Sequence, residues 1–253
     1  MYTTRRITLA LYRLLFGTAS QKRRIRQELA RFSASLFGDF PISEDHKLWR
    51  SDKKFLSDYA HLSPLNPYSQ DRKYTLREFA RYTNKMAGSL AECGCYEGAS
   101  AYFLAEENPH AEIHLFDSFE GLSTPSSDDS SHISDNPQWR QGDLRADDYK
   151  VKKLLHAYPN VAIHKGWIPA VLESVNHLQF RLVHIDVDLF QPTLDSLRFF
   201  YSRMTPGGVI VLDDYGFTNC PGAFKAANEF MADKPEYILH LPTGQGVIIT
   251  QSG

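Results

Sequence analysis

The chain has 253 residues, of which 42% are hydrophobic and 23% charged, with a formal net charge of -2. That balance is ordinary for a globular protein and gives no electrostatic reason to expect nucleic acid as a partner. The length admits one large α/β domain, or a domain with an appendage.

Charge is unevenly spread. Residues 1–31 carry eight Lys or Arg against Glu28 alone, a local charge of +7 that leaves -9 for the remainder. Residues 5–37 read as two basic amphipathic helices broken near Gly17 and Ser20, with Leu9, Leu11, Tyr12, Leu15 and Phe16 at helical spacing. A solvated arm or an oligomer contact is the plain expectation for such a charge run, and attachment to an anionic membrane surface is the other. The apolar run 7–17 is interrupted by Arg13 and falls short of the roughly 20 residues that a transmembrane span needs. It also lacks a small-residue cleavage site, which argues against a signal peptide. Cys93, Cys95 and Cys220 form no CxxC pair and no even disulfide framework, which fits a reduced, cytoplasmic setting. Residues 38–73 are rich in Pro, Ser, Asp and Tyr and read as loop with short helices. The expected division is a helical N-terminal extension over 1–73, serving as an oligomer contact or acceptor-side cap, and a core domain over 74–253.

From Thr75 the pattern becomes regular. Thr75 and Glu78 form a candidate capping box that opens a helix to about Lys85. Strand 88–93, helix 100–107, strand 113–116, a long polar loop, helix 148–157 and strand 161–164 follow. A helical turn at 170–175 leads to strand 182–185, helix 193–201, strand 209–212 and helix 223–231. Strands at 237–241 and 246–250 close the chain. This alternation predicts a Rossmann-like, doubly wound α/β fold whose mostly parallel sheet is covered on both faces. The short turn 242–245 predicts an antiparallel edge strand.

Two apolar runs end in carboxylates: FRLVHIDVD in Asp186 and Asp188, and GGVIVLDDYG in Asp213 and Asp214. Ligands of open α/β sheets bind at the carboxyl ends of the strands. Acidic groups gathered there repel one another unless a cation or protons intervene, so the pattern suggests a divalent metal beside a nucleoside-bearing cofactor. Residues two apart on a strand share a face, so Asp186 and Asp188 can point into one cleft. The plainer alternative is that some of these aspartates cap the helices that follow. Upstream, ECGCYEG carries Gly94 and Gly98 at a strand-to-helix turn, a weak signal by itself. Asp117 ends the second strand, where ribose-binding acids usually lie. Neither GxGxxG nor GxxxxGK[ST] is present. Tyr149 and Lys153 form a YxxxK pair on a lysine-rich helix surface and read as coincidence. His184 reads as a packed strand histidine, and Lys165 as a candidate neutraliser of the acidic site. The polar stretch 123–140 reads as a lid or a surface insertion, with Trp139 out of place in a solvated loop.

The segments ECGCYEG, LFDSFEGL, HKGWIPAVL, HIDVDLFQPT, PGGVIVLDDYG and CPGAFKAANEF occur in the order found in the macrocin and mycinamicin sugar O-methyltransferase family, which residues 75–250 resemble. The resemblance implies a class I methyltransferase fold, S-adenosylmethionine as cofactor, Mg²⁺ and a homo-oligomer. It implies Glu92, Gly94 and Gly98 at the methionine end of the cofactor. Asp117 with Ser118 would hold the ribose, and Gly166 with Trp167 would lie near the adenine. Asp186, Asp213 and Asp214 are the implied Mg²⁺ ligands. Asp188, sharing its strand face with Asp186, is nominated as the general base. The implied acceptor is a small molecule or glycan with a free sugar hydroxyl, as in glycosylated natural product biosynthesis. The competing expectation is a metal-dependent glycosyltransferase, with Asp186 and Asp188 as its DxD.

Overall fold

The computed structural model describes residues 11–18, 21–22, 25, 48–62, 69–130 and 138–251. The chain divides into two compact units, Met1–Ser51 and Asp52–Gly253. In the first unit, residues 11–16 are helical. Beyond Gly17, the Gln21 N–H donates to Thr18 Oγ1 (3.3 Å) and the Thr18 N–H to Gln21 Oε1 (3.0 Å). This reciprocal capping puts a helix start where the sequence predicts a break. Most of the remaining expected arm lies outside the described residues. No described helix is long and apolar enough to cross a membrane.

The second unit begins earlier than expected. Asp52 caps α1 (Lys53–Leu62) by accepting the Phe55 N–H at 2.9 Å. The helix buries Phe55 and Tyr59, and the Phe55 ring lies 5.1 Å from the rings of both Tyr74 and Phe103. The division therefore falls at Ser51/Asp52 rather than after residue 73. Polar composition hides α1 in the sequence because two buried aromatic anchors are enough to dock it. Helix α2 (Gln70–Tyr82) also starts before the expected capping box at Thr75. Its polar first turn is held by ion pairs from Arg72 and Lys73, described below, which local propensity cannot register.

Five parallel strands then form: β1 (Ser89–Cys93), β2 (Ile113–Asp117), β3 (Val161–Lys165), β4 (Phe180–Ile185) and β5 (Met204–Leu212). Between them lie α3 (Ala99–Glu107), α4 (Asp148–Leu154) and α5 (Phe190–Tyr201). Helix α6 (Pro221–Met231) precedes β6 (Leu239–His240) and β7 (Gly246–Ile249). The sheet order is β3-β2-β1-β4-β5-β7-β6, and β7 runs antiparallel to both β5 and β6. Strands β1 and β4 are buried throughout. One face packs Phe116, Phe180, Leu197, Phe200 and Ile210, and the other Leu90, Leu104, Leu115, Leu182 and Val209. Chain order reverses between β1 and β4, since β2 lies beyond β1 and β5 beyond β4. That switch point opens a crevice at the strands' carboxyl ends.

Candidate active site

The ladder continues past the strands at the switch point. The Asp186 N–H donates to the Cys93 carbonyl and the Asp213 N–H to the Ile185 carbonyl, both at 2.9 Å. Gly94 has φ +81, and a Cβ on it would sit 1.8 Å from the Asp186 carbonyl oxygen. Only glycine lets the loop after β1 pass so close to the acidic end of β4. Gly94→Ala is expected to cost more than ~1 kcal/mol and to displace Asp186, because the φ is left-handed and the clash is with backbone. Thermal denaturation checks this; an unchanged melting temperature would mean the two loops are not locked together.

A cavity of about 860 Å³ opens here, lined by Gly94, Asp117, Ser118, Gly166 and Trp167, and by Asp186, Asp188 and Asp214. Arg72, Lys73, Trp139, Phe217 and Cys220 also line it. Asp117 holds two loops: its Oδ2 accepts the Tyr96 N–H (2.9 Å) and its Oδ1 the Phe119 N–H (2.7 Å). The Ser118 hydroxyl shapes the next turn, donating to the Gly121 carbonyl at 3.1 Å. Gly166 joins this wall through its N–H to the Asp117 carbonyl (2.9 Å), and Trp167 is 41% exposed.

Two residues expected at the methionine end do not face the cavity. Glu92 is fully buried, opposite His184 in the β1–β4 register, and its Oε1 lies 2.9 Å from His184 Nδ1. Strand alternation aims it into the sheet. Gly98 precedes α3 with φ +86, and a Cβ there would meet Val151 and Leu154 of α4. Its smallness serves helix packing.

The four aspartates fall into two groups. Among the described residues, His184, Asp186 and Asp213 bring donor atoms within 4.8 Å of one another, and so do Asp188, Asp214 and Cys220. The expected trio Asp186, Asp213 and Asp214 is thus split between adjoining groups. Asp213 is fully buried behind the cavity wall. Its Oδ1 lies 3.2 Å from His184 Nε2 and accepts from Gln245 Nε2 at 2.7 Å, while Arg72 Nη1 donates to its Oδ2. Lys73 Nζ stands 3.4 Å from Asp186 Oδ2 and 4.0 Å from Asp213 Oδ2. Burial alone would lift the Asp213 carboxyl, but Lys73, Arg72 and the His184 hydrogen bond outweigh it and hold its pKa well below the usual range. Burial also opposes a charge on His184, yet bonds to Asp213 and Glu92 raise its pKa to about 9. His184 is therefore a cation between two carboxylates, which goes beyond the packed histidine expected.

Among the described residues, the second group has no such cations in direct contact. Burial first, and then the neighbouring charge of Asp186, push Asp188 up to about 7. Burial and Asp188 raise Asp214 well above the usual carboxylate range. Asp188 adopts φ +59, donates its N–H to Asp214 Oδ2 (3.0 Å) and accepts the Cys220 thiol on Oδ1 (3.5 Å). Burial, then Asp214, raises the Cys220 pKa, so the thiol keeps the proton it donates.

Sequence reasoning missed Arg72, Lys73, Gln245 and Cys220. Each sits in a polar or turn segment with no periodic signal, although the turn 242–245 that delivers Gln245 is itself legible. Lys165, the neutraliser expected, pairs instead with Asp148 at 3.5 Å. Tyr149 is 68% exposed on α4, away from the cavity lining. The first part of the 123–140 stretch is pinned. Asp129 accepts the Phe190 N–H at the start of α5 (2.6 Å), and Asp128 pairs with Lys225 of α6 at 2.6 Å. Residues 131–137 lie outside the described residues. Trp139 returns to the cavity with its indole nitrogen buried beside Cys220.

Residues 70–235 match the family described as Macrocin-O-methyltransferase (TylF). The chain is 27% identical over 148 residues to the 8-demethyl-8-(2,3-dimethoxy-alpha-L-rhamnosyl)-tetracenomycin-C 4'-O-methyltransferase of Streptomyces olivaceus, covering 54% of this chain. The match spans only 56% of that relative's length. The crystal structure of CalS11, a calicheamicin methyltransferase, superposes with a TM-score of 0.63 at 17% identity, covering 92% of this chain and 93% of that one. The O-methyltransferase TomG of Streptomyces achromogenes, solved in complex with SAM, gives 0.52 at 14% identity, covering 89% and 96%. The fold is that of the class I methyltransferases, with a mixed seven-stranded sheet. By its fold and by the match over α2 to α6, the chain belongs to the macrocin O-methyltransferase family.

Proposed function

We propose that the protein is a Mg²⁺-dependent O-methyltransferase that moves a methyl group from S-adenosylmethionine to a sugar hydroxyl, on a glycosylated natural product or a related glycan. The observation that carries this reading is the acid cluster set against the Gly94 loop at the switch point. The donors suit a hard cation, since the aspartates offer oxygen only. Glu92, Asp186, Asp188, Asp213 and Asp214 against Arg72, Lys73 and His184 leave two negative charges when all are ionised, which one divalent cation would balance. Asp186, Asp213 and Asp214 would hold that ion. Gly94, Asp117, Ser118, Gly166 and Trp167 would line the cofactor's place, with Asp117 toward the ribose.

When bound, the ion would ease deprotonation of the acceptor hydroxyl as a Lewis acid, and the cofactor would supply an electrophilic methyl with a good leaving group. Asp188 would take the proton of the acceptor hydroxyl on its carboxylate. The fixed Asp188 backbone and the close Gly94 approach would hold the base in one position relative to the loop that lines the cofactor's place.

Calorimetry with S-adenosylhomocysteine, with and without Mg²⁺, tests the reading against a nucleoside diphosphate. Tight binding of S-adenosylhomocysteine and none of the diphosphate is expected. Mg²⁺-dependent binding of the diphosphate alone would point to glycosyl transfer and sink the proposal.

A further inference from the structure

Arg72 and Lys73 are consecutive on α2, and both enter the acid cluster, yet they are held differently. The Arg72 guanidinium is fixed on three sides. Nη1 donates to Asp213, Nη2 donates to Ser69 Oγ at 3.0 Å, and its plane lies 4.7 Å from the Phe217 ring centroid. A planar fork locked in this way has little freedom to leave. The Lys73 ammonium instead stands 3.4 Å from Asp186 and 4.0 Å from Asp213. Charge-assisted bonds between nitrogen and carboxylate are normally about 2.7–2.9 Å. The ammonium is therefore shared between two carboxylates and closely bound to neither. Its side chain is only 11% exposed, so it has exchanged hydration for those two partners.

These carboxylates follow β4 and β5 directly, Asp186 in the cavity lining and Asp213 buried behind it. Taking the metal-dependent reading above as given, we propose that Lys73 is a positioning residue, a built-in counter-cation that holds Asp186 and Asp213 together and competes with the divalent ion for them. A point charge on a flexible four-carbon stem can swing aside when the ion arrives. If it stays, its charge repels the ion across a few ångströms of poorly screened space. Both routes weaken the ion's binding, so Lys73 keeps the site assembled without metal and sets how tightly metal is held. Arg72 stays in place and carries the remaining charge of Asp213.

The test titrates Mg²⁺ alone into the full chain by calorimetry, for the wild type, Lys73→Met and Lys73→Arg, and records melting in EDTA and in Mg²⁺. Lys73→Met is expected to bind Mg²⁺ at least about tenfold more tightly than wild type. It is also expected to melt lower in EDTA and to gain more from added Mg²⁺. Lys73→Arg, which keeps the charge, should bind Mg²⁺ no more tightly than wild type. Lys73→Gln gives the same comparison should the methionine variant fail to fold. Wild-type binding with unchanged or weaker affinity in the neutral variants would overturn the role of Lys73 and leave the metal-dependent reading standing. Absence of Mg²⁺ binding in the wild type would overturn both.

Discussion

Asp188→Asn is expected to lower methyl transfer about 10²–10⁴-fold while leaving S-adenosylhomocysteine affinity nearly unchanged. The substitution keeps the shape of the side chain and removes its capacity to take a proton. The Asp188 backbone occupies the left-handed region at φ +59, a conformation that the surroundings must enforce. Asp214 receives its N–H and Cys220 donates to its carboxylate, so both ends are fixed. Burial and the charge of Asp186 bring its pKa to about 7, where a general base combines availability with strength. Wild-type turnover should therefore fall once the pH is low enough to protonate Asp188, and the asparagine variant should lack that limb. A single-turnover assay with labelled methyl donor and an acceptor bearing a free sugar hydroxyl measures the rate and its pH profile. An asparagine variant with wild-type rate and pH profile would remove Asp188 from the chemistry.

His184→Leu should destabilise the fold by about 3–5 kcal/mol, the cost of leaving buried charge without its partner. The imidazolium bridges Glu92 and Asp213, all three fully buried, and Glu92 Oε2 already has no partner among the described residues. Leucine would leave two carboxylates facing one another, with Arg72 and Lys73 reaching only Asp213. The pH dependence has a definite sign. The folded-state pKa of about 9 lies above the ordinary 6.5, so the folded protein binds the proton more tightly than the unfolded chain. The resulting stabilisation, on the order of 3 kcal/mol, is complete below pH 6.5 and is lost as pH rises through 9. Urea denaturation in EDTA at pH 6 and pH 9.5 should show this loss in the wild type and much less of it in the variant. Equal pH dependence in the two proteins would mean that His184 is neutral.

Much of the core was legible from residue patterns. The strand-helix alternation from Gly88 to Thr250 read correctly because buried parallel strands are short apolar runs between turn residues, and hydrophobic periodicity is a local property. Asp117, Asp186, Asp188 and Asp214 read as cavity residues because they follow such runs directly. Glu92 misled for the same reason. It also ends a strand, but one pleat alternation decides whether it faces ligand or sheet, and its partner His184 is 92 residues away. Gly98 misled because a glycine at a strand-to-helix turn can serve a ligand or a neighbouring helix, and only the position of α4 chooses between them. The start of the second compact unit at Asp52 was not legible because α1 is docked by the buried rings of Phe55 and Tyr59 rather than by a continuous apolar face.

Residue order alone determined the sheet, its antiparallel edge, the crevice and the family, since each rests on short-range pattern and on motifs kept in sequence. The tertiary structure decided how the acid cluster is neutralised. Lys73 is 113 positions from Asp186, Arg72 is 141 from Asp213, and Gln245 arrives from the last hairpin. A buried charge takes whichever partner the fold brings within a few ångströms, and separation along the chain carries no information about that choice.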